Sequence, residues 1–190
     1  MWGQPAPSTS SGQALGCPPG AARLPAKEKN VSDLHSTVST VLVDRYTANA
    51  ARVHELAAPL TDTQFWQKPL PFGNSFGHLV LHLTGNLNYY IGAQIAKTGY
   101  VRDRPREFND PNPPSKDEAL QRFDVAVDMV LKTIRTQSPG DWSAEYSGVG
   151  TDAGNRLEMV VQCAAHVQDH TGQMIYLSYE LKQQARDGVR

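Results

Sequence analysis

Cysteine is scarce in this chain: Cys17 and Cys163 are the only two in 190 residues, far apart and without a CxxC partner. A disulfide framework and a cysteine-rich zinc site are thereby excluded, and a reducing, cytoplasmic setting is expected. Charge of one sign is equally lacking. Lys and Arg total 18 against 19 Asp and Glu, a net charge of -1, and no basic run exceeds a couple of residues, so neither nucleic acid nor a membrane surface is expected as a partner. Long apolar runs are missing too. The segments around 76–97 and 157–181 are broken by His, Asn, Gln, Asp and Thr, and neither suits a bilayer. There is no basic stretch followed by a compact apolar one near the start, as a secretory signal requires. HExxH, a P-loop, a dinucleotide fingerprint and a Ser-His-Asp order are all absent, which removes the helical glutamate base of zinc proteases and the common nucleotide sites.

What is present suits one core. Residues 1–30 are crowded with Pro, Gly, Ala and Ser and show no apolar period; they are expected to be a disordered extension. The folded domain is expected over 31–184, with a tail over 185–190. Within it Leu34, Val38, Val41, Leu42, Val53, Leu56 and Leu60 recur at helical steps, with Ser32 or Asp33 as cap and Pro59 at the end. Residues 61–75 form a connection with one turn of helix near Phe65 and Trp66. A second helix starts at Asn74 or Ser75 and runs toward Gly99, carrying Phe76, Leu79, Val80, Leu83, Leu87, Tyr90 and Ile91 on one face. Residues 99–114 hold four prolines and cannot be helical throughout. Extended at roughly 3.3 Å per residue, such a segment can retrace a whole helix as a crossover. A third helix follows Ser115, with Glu118 at the capping-box spacing. The fourth starts at Asn155 with Glu158 and runs to about Lys182. Four amphipathic helices and no strand pattern predict an all-α, four-helix bundle with a long crossover between helices 2 and 3.

The last helix contains AAHVQDHTGQMIYL, with His166 and His170 four residues apart in an apolar stretch. At ~100° per residue, His170 falls within about 30° of the centre of the apolar arc and His166 within about 70°. A buried imidazole needs a partner at each nitrogen, and a metal ion can serve two rings at i, i+4. Two core histidines bonded to backbone or water would fit the same pattern. A third imidazole is available on helix 2, where the wheel favours His82 over His78, and Asn86 stands one turn beyond. Cys163, one turn before His166, reads as an ordinary buried hydrophobe. Trp66, Trp142 and Tyr146 on the flanking loops are expected to roof the pocket or cover a bundle end.

NSFGHLVLHLTGNL, then RPREF, then HVQDHTGQMIYL, in that order and separation, resemble the DinB-like (YfiT-like) superfamily of metalloenzymes, in a branch with an NS…HLxGN second helix. The resemblance covers roughly residues 33–181. It implies a four-helix bundle with helices 2 and 3 parallel, and a divalent metal held by His82, His166 and His170, with His78 outside the site. It assigns close helix packing to Gly172 and a supporting role to Gln173. Candidate orienting or acid–base groups are Asn86, Tyr89, Tyr90 and Gln173. Three neutral imidazoles leave a coordination position for water or substrate; zinc or nickel suits them, as do iron and manganese. The resemblance implies an enzyme, foremost a transferase moving a low-molecular-weight thiol onto a small-molecule substrate, working as a homodimer. A metal-dependent hydrolase and a non-catalytic metal-binding bundle are the alternatives.

Overall fold

The computed structural model describes residues 31–188. The expected extension over residues 1–30 lies outside them. Among the described residues the chain forms seven α-helices and one π-helical segment: α1 (Val31–Ala57), α2 (Asp62–Trp66), α3 (Phe76–Leu87) continued by π-helix Asn88–Ala93, α4 (Arg106–Asn109), α5 (Lys116–Thr136), α6 (Pro139–Ser143) and α7 (Arg156–Asp187). Four are long, and α2, α4 and α6 are single turns in the connections. No strand occurs among the described residues, only an isolated bridge between Glu145 and Asn155.

Helix ends follow the capping residues. Ser75, Ser115 and Asn155 each accept a hydrogen bond from the amide three residues on, answering an orphan donor of the first turn. Glu118 does not complete a box with Ser115; it pairs with Arg122 instead. The described part of α1 already opens at Val31, so Ser32 and Asp33 lie in its first turn, not ahead of it. The largest departure from the expected elements is in helix 2. The regular rod stops at Leu87, a π-helical stretch carries it to Ala93, and the chain unwinds through Lys97 and Gly99, both at positive φ (57° and 77°). Helix four runs past Lys182 to Asp187.

Paired contacts fix the directions. His54 of α1 meets Asp124 of α5 at 2.6 Å, while Leu60 just beyond α1 accepts from Lys116 at the start of α5, so these two are antiparallel. Tyr46 Oη donates to the Val160 carbonyl (2.8 Å) and Asn49 to that of Ala164 (3.3 Å), making α1 and α7 parallel. Pro69 and Gln184 meet at one end of the α3–α7 pair and Tyr90 and Gly150 at the other, which sets α3 antiparallel to α7 and hence parallel to α5. That arrangement requires a crossover between α3 and α5, and residues 94–115 supply it. The core lies between the four long helices, with Tyr46, Val53, Phe76, Leu83, Phe123, Ile134 and Met174 each almost fully buried. Each large apolar side chain so placed contributes about 1.5–3 kcal/mol of transfer free energy.

Candidate metal centre

The first turn of α3 sorts its two histidines. Ser75 Oγ accepts from the His78 amide and His78 Nδ1 accepts from the Ser75 amide, both at 3.2 Å, a capping box with histidine in the place usually held by Glu or Gln. Trp66 packs edge-on against that ring at 5.7 Å. His78 is thus committed to the helix start. His82, one turn later, is buried and faces α7.

There it meets His166 and His170. The Nε2 atoms of His82 and His166 are 3.0 Å apart, and the ring centroids of His82–His170 and His166–His170 are separated by 5.0 and 4.4 Å. One nitrogen from each of the three rings lies within 4.8 Å of the other two. His82 is 6 % exposed, whereas His166 and His170 are half-buried.

Hydrogen bonds at Nδ1 orient two of the rings. His82 Nδ1 donates to Glu107 Oε2 (2.8 Å), and His170 Nδ1 donates to Gln173 Oε1 (2.9 Å), which leaves Nε2 of each as a lone-pair donor. His170 Nε2 is buried with no partner. Burial first, then the neighbouring rings of His170 and His82, push the His166 imidazole down to about 4. Burial also lowers His170, against the opposing hydrogen bond from Gln173. These two rings are therefore neutral at neutral pH, the form a metal ion binds.

Glu107 comes from α4 in the crossover. Its carboxylate takes Arg102 Nε at 2.7 Å and Arg102 Nη2 at 3.0 Å besides the His82 ring, with Glu107 itself 7 % exposed. Burial alone would raise this carboxyl, but the hydrogen bonds from His82 and Arg102 outweigh it and hold it below its ordinary value. Phe108 lies against the His82 ring at 5.1 Å. The approach of α4 depends on Gly85: a Cβ there would stand 2.8 Å from Glu107 Cδ and closer still to Oε1. Because three hydrogen bonds pin the carboxylate, it cannot swing aside without releasing His82. Gly85→Ala is expected to weaken metal affinity about tenfold while its gain in helix propensity, about 1 kcal/mol, limits any loss of stability. A chelator-competition titration measures this, and an unchanged affinity would show that Glu107 does not position His82.

The DinB superfamily model matches residues 45–174. The chain belongs to the DinB superfamily. A crystal structure of a conserved protein from Enterococcus faecalis is similar in fold, with a TM-score of 0.63 and 16 % identity over 76 % of this chain and 97 % of that one. At such identity the likeness concerns the fold alone. No curated protein matches the sequence.

The matched DinB segment contains His82, Glu107, His166, His170 and Gln173. Of the other candidates, Asn86 is buried one turn beyond His82 with Oδ1 unpartnered. Tyr90 spends its hydroxyl on the Gly150 carbonyl (3.1 Å), and its ring stands 6.0 Å from the Arg102 guanidinium carbon. Tyr89 packs against Tyr90 at 5.0 Å. Cys163 is core, its thiol pushed up to about 12 by burial. Trp66 covers a bundle end, edge-on to Phe65 at 5.2 Å, and Trp142 is buried. Tyr146 donates to the carbonyl of Tyr90 (3.0 Å), beside the π-helix of the DinB bundle. The close packing expected of Gly172 is not made within the described chain, since a Cβ there would meet nothing within 4 Å. Sequence reasoning missed Glu107 and Arg102, although RPREF, one of the DinB-like motifs, contains the glutamate. No helical period covers that stretch, so a buried ion pair there had nothing to announce it. A cavity of about 510 Å³ lies behind Glu107 and Gly85, lined also by Leu81, Tyr100 and Val125, and not by the three histidines.

Proposed function

We propose that this DinB-superfamily protein is a divalent-metal-dependent enzyme in which His82, His166 and His170 hold the ion, and that it transfers a small thiol to an electrophilic small molecule. The observation that carries the metal assignment is the convergence of three imidazole nitrogens, with His170 Nε2 buried and otherwise unanswered. Zinc or nickel suits three neutral imidazoles best, and iron or manganese is compatible. A divalent ion so held acts as a Lewis acid and lowers the pKa of a thiol or water that binds it. The chain's own contribution is orientation: Glu107 holds the His82 ring and Gln173 the His170 ring, each by its Nδ1 proton. Three protein ligands leave a coordination position for water or substrate, which supports turnover over a closed structural site. The homodimer belongs to the same reading. Val161, Tyr176 and Tyr179 stand exposed on α7 and offer an apolar face for it.

The test is elemental analysis of gently purified, tag-free protein, followed by assays with electrophiles in the presence and absence of small thiols. Near-stoichiometric metal and thiol-dependent product are expected, with light scattering giving twice the chain mass. Product formed without thiol would point to hydrolysis instead. No metal, even after supplying zinc, nickel, iron and manganese, would overturn the enzyme assignment.

A further inference from the structure

We infer that Arg102 is a docking group for an oxyanion, so that the substrate presents a carboxylate or similar anionic group beside the histidine cluster. This rests on the metal reading for one of its two supports, a charge count. A dication held by neutral imidazoles keeps its full charge, and the nearest buried carboxylate, Glu107, is already answered by Arg102 through two hydrogen bonds. Asp169 acts on His166 and His170 from an exposed position, screened by solvent, and the positive charge that remains calls for an anion.

The second support is the geometry of Arg102, which needs no metal. The side chain is 11 % exposed. Nε and Nη2 are committed to Glu107, while Nη1 has no hydrogen-bond partner among the described residues and is not one of the buried orphan atoms, so it keeps access to solvent. Val101 and Asp103, on either side of it, line the cavity behind Glu107, and Arg102 does not. It turns the other way, with Nη2 3.3 Å from His82 Nδ1 and the guanidinium carbon 6.0 Å from the Tyr90 ring. A guanidinium clamped on one edge by a carboxylate and beside an aromatic ring has lost its rotamer freedom before a ligand arrives, and its free nitrogen is pre-positioned. Asn86, buried with Oδ1 unpartnered, would accept from a donor, a water or a substrate O–H or N–H, and not from the oxyanion itself.

The experiment compares the parent with Arg102→Lys, which keeps a cation against Glu107 but loses the free guanidinium nitrogen. Each is titrated calorimetrically with sodium acetate, both zinc-loaded and metal-free, with zinc content measured alongside. The parent is expected to bind acetate more tightly when loaded, and Arg102→Lys to bind about tenfold more weakly, the loss of one charge-assisted hydrogen bond. Equal affinity of parent and variant in both states would overturn the proposal, because the anion would then be held by the metal or by nothing at this residue. Metal content reports the metal reading separately: a parent that takes up none of zinc, nickel, iron and manganese yet binds acetate more tightly than Arg102→Lys would sink that reading and leave the arginine's role standing.

Discussion

His166→Ala and His170→Ala are each expected to reduce metal content from near one ion per chain to near none, whereas His78→Ala leaves it unchanged. The reason is positional. His166 and His170 present ring nitrogens to His82 across the α3–α7 contact, while His78 is bonded to Ser75 at the helix start. Losing the His78 half of that capping box costs about 1 kcal/mol, a change in melting temperature without a change in metal. Chelation supplies the converse. An ion bound only to the folded chain and present at a hundred times its Kd stabilises by about 2.7 kcal/mol, so removing it lowers the parent's Tm by about 5–11 °C for a chain of this size. The two alanine variants at 166 and 170 should show no such response. Equal metal loss in all three variants would mean that His78, not His82, completes the set.

The second large effect is expected at Glu107. Glu107→Ala leaves Arg102 almost buried with neither of its hydrogen bonds to the carboxylate, and strips His82 of its Nδ1 acceptor in the same step. Breaking one side of a buried ion pair costs about 3–5 kcal/mol, and removing a supporting carboxylate from a metal-ligating histidine costs about 10–100-fold in metal affinity. Denaturant unfolding of the metal-free protein reads the first quantity and competition titration the second. Glu107→Gln retains an acceptor but not the charge, and is expected to fall between parent and alanine in both. If Glu107→Ala unfolds at the parent's midpoint without metal, the carboxylate is not answering Arg102 in solution as it does in the structure.

The bundle was legible because its long helices carry the apolar period openly, and because Ser75, Ser115 and Asn155 mark helix starts by the chemistry of orphan amides. The pairing of His166 with His170 was legible from spacing, since residues four apart on a helix share a side. His82 was harder. A helical wheel sets it well away from the centre of its apolar arc, yet α7 covers that flank and buries it. Glu107 and Arg102 were not legible. Their value lies in each other and in His82, across separations of 5 and 25 residues spanning a proline-rich crossover, and no local period encodes such a meeting. The π-helix escaped for a related reason. The amides of Gln94 and Ala96 reach back five residues, to the carbonyls of Tyr89 and Ile91, a widening that depends on what packs around it and has no compositional mark of its own.

The crossover between parallel α3 and α5 has a consequence for the order of folding. His82 and His166 meet across 84 residues of chain, and the segment that brings Glu107 to them is the one that carries the chain back along the bundle. Closing so long a loop loses entropy before any contact rewards it. The three-histidine cluster with its supporting carboxylate therefore exists only once α3, the crossover and α7 have all docked. If the cluster holds a metal as proposed, tight retention of the ion during refolding would mark the moment when the whole topology closes, after the individual helices have formed.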